Sequence, residues 1–511
     1  MAAMPRAQST RMPAQPSLPS PAPPRARLLL REAAVLVLML GFGLVLRVHL
    51  WGSISSFPDD SFYFLVGQKM HEGFLPYVDI WDRKPLGLFL IYYAIAGVSR
   101  SVYAYQIAGW LAATATGWVL YRMMRPLAGT QGAICAGLAY LAVTCAFGGE
   151  QGQAPIFYNG LVAGAFRIII GNRGRMQNGQ RHWSIWLAML LLGLAITIKQ
   201  TVAFEAAFAG CYVVASLWRG GMPARRLVLW ALGMIGLGIL PSLAIAAYYG
   251  LVGHWSEYWH AMVLANLRKQ PQDLTTTLRN GVVILMHGAP LLAVAAWGLA
   301  RQSADPGLRR FMALWLCAAM AGFLSVPYFT LHYALPLLVP LCAIAGLAFA
   351  SAQWGRIAFV ALLCLEWLWI DPLAFADARQ SAQAMDRLAT MIRAHDNGGG
   401  LLVYDGPSYL YALTGEKPLS PLVFPQHLSY PGERNVSHLD TLAEVRRMIS
   451  ARPGVVVMRR QRAAGAFDAQ TAAMVDRYVH DHCRLSGVAR PVEFGTPTDI
   501  AVYGDCRPAP S

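Results

Sequence analysis

Charged residues are scarce in this 511-residue sequence, since Asp, Glu, Lys and Arg together make up 14% of it, whereas hydrophobic residues make up 56%. The mean hydropathy is +0.41. A soluble enzyme of this length needs a larger polar surface. The composition therefore excludes that class and indicates a polytopic membrane protein.

Motifs for binding soluble nucleotides are also absent. No G-x-G-x-x-G follows a predicted strand, and no G-x-x-x-x-G-K-[ST] or tandem repeat occurs, so we expect no nucleotide cofactor. Although the formal net charge is +15, the basic residues fall in small groups between apolar runs. That distribution excludes nucleic acid as a partner and is typical of membrane topology signals.

Apolar runs of about 17–25 residues predict membrane-spanning helices. We predict spans at 33–51, 102–121, 129–148, 154–171, 184–198, 201–218, 227–249, 280–300, 310–327, 334–352 and 356–371. The expected fold class is therefore a polytopic α-helical membrane protein of about eleven spans. The apolar run 87–98 is too short to cross a bilayer and is predicted to be an interfacial or re-entrant helix.

The distribution of arginine predicts the orientation of these spans. With the N-terminus in the cytoplasm, the cytoplasmic loops contain Asp305 as their only acid, together with Arg122, Arg125, Arg173, Arg175, Arg181, Arg219, Arg225, Arg226, Arg301, Arg309, Arg310 and Arg356. Enrichment of Arg on one side is the positive-inside asymmetry. The first loop, 51–86, is then extracytoplasmic.

Composition divides the chain into three parts. Residues 1–27 are rich in Pro, Ala, Ser and Arg and predict a disordered basic tail, while residues 28–371 contain the predicted spans. Residues 372–511 alternate short apolar and amphipathic stretches, which predicts a small α/β domain with some parallel pairing. An odd number of spans places this domain outside the cytoplasm, where Cys483 and Cys506, the only Cys in polar sequence, are able to form a disulfide.

The elements of this domain follow from the local patterns. Strands are predicted at 401–404, 455–458 and 500–503, and helices near 407–413, 439–450 and 469–480.

Two adjacent acids follow the first span. Asp59 and Asp60 precede a helix predicted to begin near Ser61, so helix capping is one explanation. One Asp is enough for a cap, and two adjacent carboxylates repel each other unless a proton or a cation compensates. The pair is also suited to removing a proton from an acceptor hydroxyl or to binding a divalent cation. Both explanations stay open, and we predict no other metal site.

A cationic pair lies at the other end of the same loop. Arg83 and Lys84 precede Pro85, which favours an extended chain. Anchoring at the membrane interface accounts for both cations, but a Lys at this place is also suited to binding a phosphate. With acids at one end and cations at the other, the loop is able to activate a nucleophile and to stabilise a departing phosphate.

Five further polar positions are predicted to face the same side. Asp79 lies in the first loop, and Glu150 lies in the segment GGEQGQ between two spans. Lys199 lies in a short turn between spans, where an ion pair with a nearby Glu is the structural alternative. His332 and Tyr333 precede the span 334–352, and an interfacial aromatic belt also explains Tyr333.

These motifs resemble a known family. The acidic pair within Pro58 to Tyr63, followed by G-x-x-P-Y-x-D-x-x-D-x-K-P-x-G at Gly73 to Gly87, is similar to GT-C-type glycosyltransferases that use polyprenyl-phosphate sugars. That group contains the protein O-mannosyltransferases, the lipid A aminoarabinose transferase and the Rgt-like transferases. Weaker similarities lie at Gly193 to Gln200 and His332 to Pro336, and the resemblance covers roughly residues 30–510.

The resemblance implies roles for individual residues. Asp59 matches the catalytic base, Asp60 matches the second acidic position, and Lys84 matches the Lys that contacts the lipid-linked phosphate, with Arg83 or Lys199 assisting.

Two positions depart from the family pattern. The usual Lys-Pro-Pro is Lys-Pro-Leu here, with Leu86 as its third residue, and the acid of the second loop is replaced by Pro155. Glu150 is a candidate substitute for that acid. Asp79, His332 and Tyr333 are further candidates for the second-loop or acceptor side.

The predicted function is therefore an inverting transfer of a sugar from a polyprenyl-phosphate donor to a hydroxyl of a lipid, glycan or protein. The expected location is a bacterial-type inner membrane, with membrane lipid as a further partner. A transporter or flippase of an envelope precursor is the alternative, because many spans with charges at one end also suit a permeation path.

Overall fold

A computed structural model describes residues 25–268, 272–301, 305–326, 328–461 and 467–506. Residues 1–24 of the predicted basic tail lie outside these ranges. Arg25, which the sequence assigns to that tail, instead begins the first helix.

The first part of the chain is almost entirely helical. Its helices are α1 (Arg25–Arg47), α2 (Pro58–Met70), α3 (Leu86–Val98), α4 (Tyr103–Ala146), α5 (Ala154–Gly171), α6 (Arg173–Gln177), α7 (Ser184–Ile196), α8 (Ala203–Arg219), α9 (Ala224–Leu251), α10 (Trp255–Trp259), α11 (Ala265–Leu267), α12 (Leu274–Arg301), α13 (Pro306–Leu324), α14 (Leu338–Phe349) and α15 (Trp354–Ile370). Short 3-10 segments occupy Val48–Leu50, Gln200–Val202 and Leu331–Leu337, and a π-helical turn occupies His260–Leu264.

Within the described ranges, nine helical segments are long and apolar enough to cross a membrane, so the predicted count of about eleven is not confirmed. Two differences explain the lower number. The predicted spans 102–121 and 129–148 lie in the continuous 44-residue segment α4, which is counted once although two helices meet in it at Gly129 (φ 65°), where the backbone is not helical. The predicted span 184–198 is the 13-residue helix α7, which is shorter than the hydrocarbon core of a bilayer.

The C-terminal domain follows a left-handed residue, Asp371 (φ 43°), that ends α15. Its helices are α16 (Phe375–His395), α17 (Leu410–Thr414), α18 (Gln426–Ser429), α19 (Thr441–Ser450) and α20 (Ala469–His482), with a 3-10 turn at Pro431–Glu433. Its strands are β1 (Leu401–Asp405), β2 (Val455–Arg459), β3 (Arg484–Ala489), β4 (Val492–Glu493), β5 (Thr496–Pro497) and β6 (Ile500–Gly504). A disulfide joins Cys483 to Cys506.

The strands form a four-stranded sheet in the order β1-β2-β6-β3 and a two-stranded sheet, β4-β5. β1 and β2 are parallel, whereas β6 is antiparallel to both β2 and β3. The hydrophobic runs of β1, at one edge of the sheet, and of its neighbour β2 are both buried, as expected for parallel strands whose faces are covered. The predicted fold class, a polytopic helical membrane protein with a small α/β domain, is confirmed.

The C-terminal domain packs on the first loop and on α2. Phe62 of α2 lies with its ring centre 4.9 Å from that of Phe424, and the Gln68 side chain donates a hydrogen bond to the Tyr409 hydroxyl (2.9 Å). The backbone N–H of Phe494 donates to the carbonyl of Ser56. The first loop is therefore enclosed between the helical part and the C-terminal domain.

Candidate active site

The acidic pair lies in the first turn of α2, which begins at Pro58 rather than near Ser61. Proline suits the first position of a helix because its missing N–H has no partner there in any case. Phe57 is the N-cap residue and neither Asp caps the helix with its side chain. The partial positive charge of the helix N-terminus still favours both carboxylates.

Asp59 lies beside His332, which lines a cavity, and is partly exposed. Its Oδ2 lies 4.0 Å from Nε2 of His332, with 25% of the Asp59 side chain accessible. Burial favours its neutral form, but the charges of Lys84 and His332 outweigh burial and hold the pKa of Asp59 below its ordinary value. Asp59 is therefore a carboxylate at neutral pH.

Asp60 points the other way and is fully buried. Its Oδ2 accepts a hydrogen bond from the N–H of Gly152 (2.8 Å), and its Oδ1 has no hydrogen-bond partner among the described residues. Burial and the neighbouring charges of Asp59 and Glu150 raise the pKa of Asp60 well above its ordinary value, despite the bond from Gly152. Asp60 thus connects α2 to the loop after α4, whereas Asp59 lies beside His332.

Lys84 lines that cavity. Its backbone N–H donates to Oδ1 of Asp82 (2.7 Å), and its carbonyl accepts from the Tyr77 hydroxyl (2.9 Å). Its Nζ lies 5.3 Å from the centre of the Tyr63 ring, within the range of a cation–π contact. Burial opposes the charged form, but Asp59 outweighs it and raises the pKa of Lys84.

Lys199 approaches from the turn between α7 and α8. Its Nζ lies 5.0 Å from the centre of the Tyr333 ring. Glu205, the nearest acid along the chain, accepts a hydrogen bond from the indole of Trp315 (2.7 Å). Lys199, Tyr333 and Glu205 all line the cavity.

One cavity thus brings together several of the predicted residues. Its lining consists of Lys84, Gln153, Ala154, Pro155, Tyr158, Lys199, Thr201, Val202, Glu205, Ala319, Gly322, Phe323, Val326, His332, Tyr333 and Pro336. A second cavity shares Lys84, Lys199 and Tyr333 with it and extends past Arg83 and Asn266. Pro155, where the family pattern has an acid, lies on the cavity wall.

Three predicted residues lie away from the centre of this arrangement. Asp79 is exposed and accepts a hydrogen bond from the N–H of Leu75 within a turn (2.7 Å). Both terminal nitrogens of Arg83 are bonded to the carboxylate of Glu433. Glu150 has a buried Oε2 without a hydrogen-bond partner among the described residues, and burial raises its pKa to about 8.

The sequence reasoning missed several residues of the site. Tyr63 stands four residues after Asp59 on α2, and this spacing alone places both on one helix face. Tyr158 and Gln153 line the cavity from α5 and the loop before it, and Glu433 comes from the C-terminal domain. No local pattern in the sequence identifies these three.

Among the described ranges, no group of three or more His, Cys, Asp and Glu has the arrangement of a metal site. The sequence leaves open whether a divalent cation binds at Asp59 and Asp60. In the structure these two carboxylates lie in separate environments.

Neither a protein-family model nor a curated protein matches this sequence. Solved structures do match. ArnT from Cupriavidus metallidurans bound to undecaprenyl phosphate is 12% identical with a TM-score of 0.60, and the match covers 94% of this chain and 98% of that chain.

An archaeal oligosaccharyltransferase is also similar. AglB from Archaeoglobus fulgidus, in complex with an inhibitory peptide and a dolichol-phosphate, is 11% identical with a TM-score of 0.50, and the match covers 84% of this chain and 70% of that chain. ArnT and AglB are both GT-C glycosyltransferases. This chain therefore has the GT-C membrane fold that ArnT and AglB share.

Proposed function

We propose that this protein transfers a sugar from a polyprenyl-phosphate donor to a hydroxyl acceptor outside the cytoplasm. The main support is the arrangement of an acid and a cation at one cavity: Lys84 lines it, and Oδ2 of Asp59 lies 4.0 Å from Nε2 of His332, which lines it as well. A base and a phosphate-binding cation are what this transfer needs at the two ends of the reacting sugar.

In this proposal Asp59 takes the proton from the acceptor hydroxyl. The acceptor oxygen then attacks the anomeric carbon, and the bond between that carbon and the phosphate oxygen breaks. Polyprenyl phosphate leaves with the bonding electrons, and attack from the opposite face inverts the anomeric centre. Lys84, with Lys199 on the same cavity, stabilises the negative charge of the leaving phosphate.

The comparisons support a lipid-phosphate donor. The ArnT structure contains undecaprenyl phosphate, and the AglB structure contains a dolichol-phosphate. His332 lies beside Asp59, and Tyr333 lies beside Lys199. Both are candidates for contacting the acceptor or the sugar.

Reconstitution of the purified protein with an undecaprenyl-phosphate sugar tests this function. Asp59→Asn keeps the size of the side chain but removes the base, so we expect sugar release from the donor to fall by about 10²–10⁴-fold. Asp79→Asn, an exposed acid of the same loop, is the matched control and should keep full activity.

Two results would contradict the proposal. One is undiminished transfer by the Asp59→Asn protein. The other is movement of the intact donor across the bilayer without cleavage of the sugar–phosphate bond, which would instead support a flippase.

A further inference from the structure

The structure contains a buried ion pair between the first loop and the C-terminal domain. Nη1 and Nη2 of Arg83 lie 2.8 and 2.5 Å from the two carboxylate oxygens of Glu433. The Arg83 and Glu433 side chains are only 15% and 7% accessible. Such a two-bond arrangement fixes direction as well as distance, because the planar guanidinium matches the carboxylate.

Glu433 is itself firmly held. It ends the 3-10 turn Pro431–Glu433, and Nδ1 of His427 lies 3.4 Å from its Oε2. Burial opposes ionisation of Glu433, but His427 and Arg83 outweigh burial and keep its pKa well below the ordinary value. Glu433 therefore stays charged over the whole physiological range of pH.

Trp81, two residues before Arg83, is also held by the C-terminal domain. Its side chain is fully buried in the hydrophobic cluster of the C-terminal domain. Its backbone N–H donates to the carbonyl of Pro421 (2.8 Å), and its ring centre lies 4.6 Å from that of His427. Positions 81 and 83 thus both face the C-terminal domain.

Lys84 faces the other way. A residue before proline favours extended backbone, and successive side chains of an extended chain point to opposite sides. When Arg83 is held by Glu433, Lys84 is directed towards Tyr63 and the cavity that it lines together with His332.

We infer that Glu433 is a positioning residue for the lipid-phosphate site: by holding Arg83, it directs Lys84 to the phosphate. Arg83 belongs to this interdomain pair, not to the set of phosphate ligands. This inference rests on the proposed function, because it specifies how the same site binds its donor.

Binding of undecaprenyl phosphate to the purified full-length protein tests the inference without requiring transfer. In Glu433→Gln the side chain keeps its size but loses its charge, so Arg83 is released and Lys84 is held less well. We expect the dissociation constant of undecaprenyl phosphate to rise about tenfold. Turnover with the sugar donor should show a similar rise in KM with little change in kcat.

A double-mutant cycle separates positioning from general stability. If Glu433 acts through Lys84, then adding Glu433→Gln to Lys84→Ala should weaken binding no further than Lys84→Ala alone. Glu493→Gln is the matched control, because Glu493 has the same 7% side-chain accessibility and an ion pair with Arg459 within the C-terminal domain. It should leave the dissociation constant unchanged.

Each outcome has one meaning. Unchanged binding in Glu433→Gln, or additive losses in the double variant, would overturn the inference while leaving the transferase proposal intact. Absence of both binding and transfer in the wild-type protein would overturn the proposed function, and the inference with it.

Discussion

At the scale of single residues, the site depends on two neighbouring carboxylates having different surroundings. Asp59 lies near Lys84 and His332, which favour its charged form. Asp60 is completely buried, and the hydrogen bond from the N–H of Gly152 and the charge of Lys84 do not outweigh that burial. Such a separation of pKa values allows one carboxyl group to act on a substrate while the other holds the structure.

Lys84→Ala should chiefly weaken use of the lipid donor. A hydrogen bond to a charged group contributes about 1.5–3 kcal/mol, so we expect KM for the donor to rise about 10–100-fold. Steady-state kinetics in detergent micelles measure this effect. An unchanged KM would remove Lys84 from the phosphate site.

Glu150→Gln should change the pH dependence of stability. Burial raises the folded-state pKa of Glu150 from 4.5 to about 8, so its favourable contribution is complete below pH 4.5 and is lost as the pH rises through 8. We expect Glu150→Gln to stabilise the protein by roughly 1–3 kcal/mol above pH 8, and to have little effect near pH 4.5.

Thermal unfolding of Glu150→Gln and wild type at several pH values measures that difference. Equal differences in Tm at all pH values would show that Glu150 does not titrate in this range.

At the scale of elements, the two lysines of the cavity are linked through a backbone contact. The N–H of Gly87, at the start of α3, donates to the carbonyl of Thr197, two residues before Lys199 (2.9 Å). A Cβ on Gly87 would lie 2.4 Å from the Thr197 hydroxyl and 2.6 Å from its carbonyl oxygen. Only glycine therefore allows α3 and the α7–α8 turn to approach this closely.

Gly87→Ala should force these elements apart, with a cost of about 1–3 kcal/mol in stability. Because Lys84 and Lys199 then separate, KM for the donor should also rise. Gly41→Ala in α1 is the control, since nothing lies within 4 Å of its added Cβ. Equal behaviour of the two variants in thermal unfolding and kinetics would contradict this account.

Prediction of the elements succeeded where local patterns are strong. The predicted strands 401–404, 455–458 and 500–503 correspond to β1, β2 and β6, whose central residues are buried. Strand β3 was not predicted because it begins with exposed residues and has no buried hydrophobic run like those of β1 and β2. The break at Gly129 within α4 falls at the predicted boundary between the spans 102–121 and 129–148.

At the scale of the whole molecule, the C-terminal domain completes the site instead of standing apart from it. It covers the first loop through Trp81, Arg83 and the contact of Phe494 with Ser56. The proposed extracytoplasmic location of the first loop therefore requires the domain to lie on the same side.

The disulfide tests that location. Because disulfides persist in oxidising compartments, we expect Cys483 and Cys506 to resist alkylation in native membranes until they are reduced, whereas the exposed Cys211 has a free thiol. Differential alkylation followed by peptide mass analysis measures this. Fully reduced cysteines in vivo would place the domain inside the cell. Removal of the disulfide by Cys483→Ser should lower the free energy of unfolding by about 2–5 kcal/mol.

The sequence by itself determined the class of protein, the membrane character of its long helices and the main strands, and it identified Asp59 and Lys84 as candidate site residues. These properties depend on composition, periodicity and short motifs, which act locally along the chain. Tertiary structure decided which charges meet: Glu433 binds Arg83 from 350 residues away, and Asp60 accepts a hydrogen bond from Gly152 while Asp59 lies beside His332. The physical reason is that the state of a buried charge depends on desolvation and on partners a few ångströms away, and the fold alone supplies both.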